Sequence, residues 1–405
     1  MTPGRLPQDD RAARALWSRV AEPCDRRVLA LLDSCRGDHA DALEALAASR
    51  DARHQPLQAR LRDADPARDL DLAERCGARL VVPGDAEWPS GLDDLGRLAP
   101  ACLWVRGPAP LHLALRRSVA LVGSRAATAY GEHVARELAV GLVGRAFGVV
   151  SGAAFGIDAA AHRGALGSDG TTVAVLAGGV DRPYPAAHAR LLELVAETGA
   201  VVSEVPPACA PTRSRFLQRN RLIAALTDGA VVIEAGYRSG ALSTLRHAVS
   251  LGRPVGAVPG PVTSAASAGC HQAIRDGAAL LVTDAAEVAE LCGRMGEDLA
   301  PEPRGPESER DQLAPVDQAL LDALPYARGR ALEGVARRAG LPLAEARAAF
   351  GRLVMRDLAE TDEGLCRLSG RVRSERLQAG RRRRELVEAR AADGEVDAPR
   401  LDLAP

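Results

Sequence analysis

No lysine occurs anywhere in the 405 residues, so the 52 strongly basic side chains are all arginine. That absence excludes a phosphate loop of the Gly-Lys-Ser/Thr kind and any Schiff-base mechanism, because each needs an amine. What remains is the guanidinium, which clamps phosphate oxygens bidentately and stacks on bases. Aromatic residues are scarce as well, with four Tyr, four Phe and three Trp. No run of eighteen uncharged apolar residues appears and the N-terminus is charged, which predicts a cytoplasmic protein with no membrane span and no secretory signal. The eight cysteines include no CxxC pair, so reduced thiols are expected rather than disulfides or a zinc site. None of the eight histidines stands in an HExxH pattern, and neither a metal nor a cofactor is expected.

The chain is long enough for two or three domains, and 47% hydrophobic residues are ample for their cores. Net charge is uninformative, since 52 basic and 53 acidic residues nearly cancel. Helical spacing from about Arg11 to Leu61, broken at Gly37-Asp38, predicts an N-terminal helical domain over 1–65. A lead-in follows, with a helix through Arg75 and strands at Arg79–Val82 and Ala101–Val105. Between Ser118 and Cys292, apolar strands alternate with helical segments, which predicts a doubly wound parallel sheet and a main domain over 66–292. A Pro/Glu/Arg-rich linker over 293–315, three helices and a hairpin forming a winged helix over 316–370, and a charged tail over 371–405 with Arg381–Arg384 complete the organisation.

One arrangement recurs in the main domain: a short strand ends in glycine, serine or arginine where a helix begins. Gly123-Ser124-Arg125, Ser151-Gly152 leading to Gly156-Ile-Asp158, Gly178-Gly179, and Pro259-Gly260 all fit it. Small residues allow close backbone approach, and helix N-termini carry free N–H groups, so an anion with several phosphates is the expected ligand. In a doubly wound sheet these loops share one edge, a geometry suited to a polymer. Arg213, Arg215, Arg219 and Arg221 cluster with no acid between Pro206 and Thr227, which reads as a phosphate-tracking patch. Tyr130, Phe155, Tyr184, Phe216 and Tyr237 fall just beyond strand ends, either as packing residues or as stacking platforms for bases. Ser151, Asp158 and His162 suit either a hydrogen-bonded loop junction or a catalytic triad. The spacing is wrong for G-x-S-x-G, and Asp158 is assigned to orienting the loop.

The ordered series Gly123-Ser-Arg125, Tyr130-Gly131, Ser151-Gly152, Gly156-Ile-Asp158, His162, Tyr184-Pro185, Ser203-Glu204, Phe216, Arg219-Asn220-Arg221, Ser239-Gly240, Thr244 and Pro259-Gly260 resembles the DNA-processing protein A family, DprA or Smf. The resemblance implies an extended Rossmann-like fold with an N-terminal SAM-like helical domain and a C-terminal winged helix. It further implies a non-enzymatic homodimer that binds single-stranded DNA and loads RecA on incoming DNA in natural transformation. Carried over by position, Arg125 and the Arg219-Asn220-Arg221 segment are the backbone clamps. Two positions depart from the family pattern: His271 replaces an asparagine, and Ala186-Ala187 stand where a lysine often lies, with Arg190 the nearest cation. The competing readings are a nucleoside monophosphate hydrolase on a related fold and a winged-helix transcription regulator. The hydrolase group is marked by a Gly-Gly-Gly loop, absent here.

Overall fold

In the computed structural model the described residues are 6–302, 309–310, 312–375 and 377–378. The chain divides at the Pro301–Glu302 junction into two compact units. Part of the expected linker, and the tail from 379 with Arg381–Arg384, lie outside the described residues.

The first unit opens with five helices: α1 (Asp10–Val20), α2 (Arg26–Ser34), α3 (His39–Ala48), α4 (Gln55–Asp63) and α5 (Pro66–Arg75). Four start on an aspartate whose carboxylate accepts a first-turn N–H, namely Asp9, Asp25, Asp38 and Asp65, so the Asp-rich spacing of this region is a series of N-caps. Leu16, Trp17, Val20, Leu43, Leu46 and Leu57 form their common core. Ala15 of α1 and Ala73 of α5 instead join the core beneath the sheet, so these helices and the sheet are one body.

The sheet follows. Its elements are β1 (Ala78–Val81), β2 (Leu103–Arg106), α6 (Leu111–Ala114), β3 (Ser118–Val122), α7 (Ala129–Val143), β4 (Gly148–Ser151), α8 (Ile157–Leu166), β5 (Thr172–Val175), α9 (Ala189–Thr198), β6 (Ala200–Ser203), α10 (Arg213–Ala225), β7 (Gly229–Val232), α11 (Ala241–Ser250), β8 (Val255–Ala257), α12 (Ala268–Arg275), β9 (Leu280–Leu281) and α13 (Ala285–Cys292). Nine strands lie in the order β1-β2-β6-β5-β4-β3-β7-β8-β9. The two lead-in strands are antiparallel and all later pairs are parallel, with Val119 opposite both Val149 and Gly229. Strand order reverses at β3 and β7, and there the two helices that follow diverge to opposite faces and leave a crevice. Along β3, Ala120 and Val122 face a core with Leu222, Ile223 and Leu245, while Val119 and Leu121 face Leu138, Leu142 and Ile157, so both sheet faces are covered.

The second unit comprises α14 (Pro315–Ala323), α15 (Leu332–Ala339), α16 (Leu343–Met355) and the antiparallel hairpin β10 (Ala359–Asp362) and β11 (Leu365–Leu368). Gly340 ends α15 in the left-handed conformation at φ 68°, and Arg330 bridges to Cys366 beside the hairpin. Leu320, Val335, Leu353 and Leu368 fill its core.

Two buried histidines make the first unit acid-sensitive. Burial, with His188 and Arg219 adding, holds the His162 imidazole down to about 3; burial, with Arg14 adding, holds His39 down to about 4. Unfolding returns both to 6.5, so the unfolded chain binds protons that the folded chain refuses. Their stabilisation is full above pH 6.5 and is lost as pH falls toward the folded values, by about 1.4 kcal/mol per pH unit for each histidine. Urea midpoints at pH 7, 6 and 5 are expected to fall stepwise; a flat profile across that window contradicts it.

Candidate nucleic-acid interface

An open cleft of about 830 Å³ lies over the carboxyl ends of the strands where their order reverses. Its walls come from the loop after β3 (Gly123, Ser124, Arg125), the first turn of α8 (Asp158), Tyr184 after β5, the start of α10 (Thr212, Arg213, Phe216, Arg219, Asn220) and the loop after β7 (Arg238, Ser239, Gly240). Four arginines therefore surround one carboxylate. Arg125, Arg213 and Arg238 are exposed, and none is in an ion pair among the described residues. Asp158 is buried and accepts the Ala154 N–H at 3.3 Å; burial raises its pKa against the pull of Arg219.

The helix ends facing this edge are not alike. At α7, the Glu234 carboxylate accepts the Thr128 N–H at 2.9 Å and the Thr128 hydroxyl at 2.7 Å, so that N-terminus already holds an anion. A Cβ on Gly131 would stand 2.5 Å from the Glu234 carboxyl carbon, which is why glycine occupies that turn. At α8 the first turn carries Asp158. The first turns of α10 and α11 hold no acidic residue, and both open into the cleft through Thr212-Arg213 and Gly240-Ala241. Only neutral hydroxyls cap these two, with Thr212 accepting the Arg215 N–H at 3.3 Å and Ser239 the Ala241 N–H at 3.3 Å, so their positive ends face the cleft without a competing carboxylate. Asn220 couples them, since its Nδ2 donates to the Gly240 carbonyl at 3.3 Å.

Aromatic groups line the same wall. The Arg125 guanidinium lies 4.8 Å from the Phe216 ring centroid, and Phe216 and Tyr184 are 5.5 Å apart, a row of flat groups beside the unpaired arginines.

Several assignments from sequence need correction. Arg221 does not face the cleft: it is 2% exposed, and its two terminal nitrogens donate to Glu204 at 2.9 and 2.7 Å. Two positions on a helix are about 200° of rotation, so Arg219 and Arg221 cannot share a face. Arg215 is also turned away, with Glu22 at 2.8 Å. Arg219 lies in the floor at 5% exposed, donating to the carbonyls of Gly152 and Val175, and burial lowers its pKa to about 10, so it stays charged at neutral pH. It is a fixed positive charge under the cleft rather than a mobile clamp. Ser151 is buried, donates to the Leu121 carbonyl at 2.7 Å and also lies against Asp158, whereas His162 bonds Thr172 at 2.7 Å, so His162 is not joined to the other two in a relay. Three of the glycines serve packing: a Cβ on Gly123 meets Ile157, one on Gly152 meets the Arg219 guanidinium at 2.5 Å, and one on Gly156 (φ 72°) meets the Ser124 carbonyl. Only Gly240 among the cleft glycines faces open space. Pro259 and Gly260 lie outside the cleft, where the Tyr130 hydroxyl donates to the Pro259 carbonyl at 2.7 Å and His271 Nε2 sits 3.0 Å from the Gly260 carbonyl. Arg190 pairs with Glu197 at 3.4 Å. Arg238 and Glu234 were missed: the first stands beside the flagged Ser239-Gly240, whereas the second carried no local signal.

Residues 79–293 match the family model described as DNA recombination-mediator protein A. A relative named DprA from Mycobacterium tuberculosis is 45% identical over 370 residues, covering 88% of this chain and 94% of its own length. The chain belongs to the DprA family. A crystal structure of DprA from Streptococcus pneumoniae superposes with a TM-score of 0.59 at 30% identity, over 69% of this chain and 96% of its own. A DprA structure from Helicobacter pylori, described for its single-stranded DNA binding mode, aligns over 52% of this chain at 26% identity and a TM-score of 0.47. The matched region runs from the second residue of β1 to the residue after α13, so the cleft lies wholly inside it.

Proposed function

We propose that the cleft binds single-stranded DNA independently of sequence and that the chain acts as a cytoplasmic recombination mediator, loading RecA on incoming DNA in natural transformation. The observation that carries this reading is the concentration, on one open surface, of three unpaired arginines, two acid-free helix N-termini and a Tyr184–Phe216–Arg125 row. Guanidinium and N–H groups suit the phosphates, and flat exposed groups suit unstacked bases, which a duplex does not offer. Of the two carboxylates at this edge, Asp158 accepts the Ala154 amide and Glu234 accepts from Thr128, roles that fasten the loops and need no reaction to explain them. The second unit, with three helices and a hairpin, is read as a winged helix. A homodimer is proposed through the edge strand β9, where Leu280 and Leu281 are 64% and 51% exposed on an unpaired edge; Val282, Val288 and Leu245, by contrast, are core residues.

Titration of labelled single-stranded and duplex oligonucleotides across a salt series tests the reading. Tight single-strand binding is expected, with log affinity falling against log salt by about 0.7 per phosphate neutralised. Equal affinity for duplex, indifference to salt, or release of base from a nucleotide would refute it. Light scattering and RecA loading on strands coated with single-strand-binding protein test the dimer and the mediator role.

A further inference from the structure

The segment between β6 and α10 forms one wall of the cleft through Pro211 and Thr212, with Arg213 of α10 beside them, yet it has no regular secondary structure of its own. Toward the sheet it is fastened by the Gly179 N–H donating to the Cys209 carbonyl at 2.9 Å and the Ala208 N–H donating to Asp181 at 2.8 Å. Its other side is held from the N-terminal helices. Arg19 of α1 donates to the Pro207 carbonyl at 2.7 Å and to Cys209 Sγ at 3.2 Å while its Nε and Nη2 are seated on Asp69 of α5. Glu22, at the end of α1, receives both Nε and Nη2 of Arg215 at 2.8 and 3.0 Å, and Arg215 Nη1 donates back to the Ala210 carbonyl at 2.9 Å.

The anchor is itself rigid. Ala15 of α1 packs under the sheet, Trp104 of β2 donates to the Ser18 hydroxyl at 3.2 Å, and Arg11 reaches the Leu80 carbonyl and Asp85. None of Arg19, Glu22 and Asp69 lines the cleft.

We propose that the N-terminal helices position the single-strand cleft, with Glu22 and the Arg19–Asp69 pair acting as positioning residues that hold residues 206–215, and with them the acid-free N-terminus of α10, in place for phosphate. The inference rests on the single-strand reading of the cleft. It also makes a prediction opposite in sign to charge alone. Glu22 and Asp69 are acids near a basic surface, so as simple charges their removal favours a polyanion. As positioning residues, their removal loosens a wall and weakens binding.

Glu22 is the residue to change, since its side chain is one-third exposed and belongs to no hydrophobic core cluster. In full-length Glu22→Gln, affinity for a labelled oligothymidylate is expected to fall roughly threefold to fivefold, the effect of a partly exposed ion pair. Hydrogen exchange in the DNA-free protein should quicken over residues 206–216 and stay unchanged in the strands. Glu22→Arg should weaken binding further despite adding a positive charge, and pairing it with Arg215→Glu should restore most of the affinity. Unchanged or tighter binding by Glu22→Gln, unaltered exchange over 206–216, or no rescue by the exchanged pair overturns the proposal. If wild-type protein fails to bind the oligonucleotide, the single-strand reading falls, and the proposal falls with it; the exchange measurement then still reports separately whether the tether exists.

Discussion

Arg221→Ala is expected to destabilise the protein by about 3–5 kcal/mol, the cost of leaving a buried charge without its partner. The side chain is 2% exposed, and beyond Glu204 it donates to the carbonyls of Leu98 and Gln218 at 2.9 and 3.0 Å. Burial alone lowers its pKa, but Glu204 more than offsets that, so the guanidinium is held charged. Removing it strands the Glu204 carboxylate and two backbone carbonyls in an apolar setting. Against a total stability of about 5–15 kcal/mol, that is a large share. The urea midpoint measures it, and DNA affinity assayed below the melting transition separates this role from a clamp: affinity should be little changed while the protein remains folded. A double replacement, Arg221→Met with Glu204→Leu, should recover most of the stability, because apolar groups of similar volume need no counter-charge. A midpoint equal to wild type in Arg221→Ala contradicts the buried-pair assignment.

Arg125→Ala should have the opposite profile, with stability unchanged and single-strand affinity reduced by about 1.5–3 kcal/mol, the range for hydrogen bonds to a charged group. Its side chain is exposed and contributes to no core among the described residues, and it lies over the face of Phe216. Phe216→Ala is expected to cost about 1–3 kcal/mol if a base stacks there. The two losses should not add, because each residue supports the other at 4.8 Å. Arg125→Lys should recover only part of the affinity, since an ammonium keeps the charge but loses the planar face and the bidentate fork. Anisotropy titrations of Arg125→Ala, Phe216→Ala, their double variant and Arg125→Lys decide the matter; wild-type affinity in Arg125→Ala removes that loop from the interface.

The strands were legible because a parallel sheet covered on both faces turns each strand into a short apolar run, as in Val119–Val122 before Gly123 or Val173–Ala177 before Gly178. The edge on which the loops gather follows from that topology. What sequence could not reveal was which side chains on the edge remain free. Arg213, Arg215, Arg219 and Arg221 read as one patch because no acid lies among them, yet Glu204 is 17 residues from Arg221 and Glu22 is 193 residues from Arg215. Ion pairs made across such separations leave no local trace. The glycines were ambiguous for a related reason. A missing Cβ signals close approach but not by what: at Gly152 the neighbour is the Arg219 guanidinium, at Gly240 it is open space.

The carboxylate at the start of α7 has a consequence for which small molecules can compete at this surface. Glu234 is an intramolecular ligand, and its effective concentration is set by its attachment to the end of β7 rather than by the solution. A free nucleotide or inorganic phosphate arriving at the Thr128 amide must displace a tethered anion of the same charge sign, and does so without gain. At α10 and α11 no first-turn carboxylate competes, whether with a mononucleotide or with a polymer. Under the single-strand reading proposed above, only a polymer has linked phosphates to fill both sites with the same advantage of tethering, so an oligonucleotide is expected to outbind a mononucleotide there.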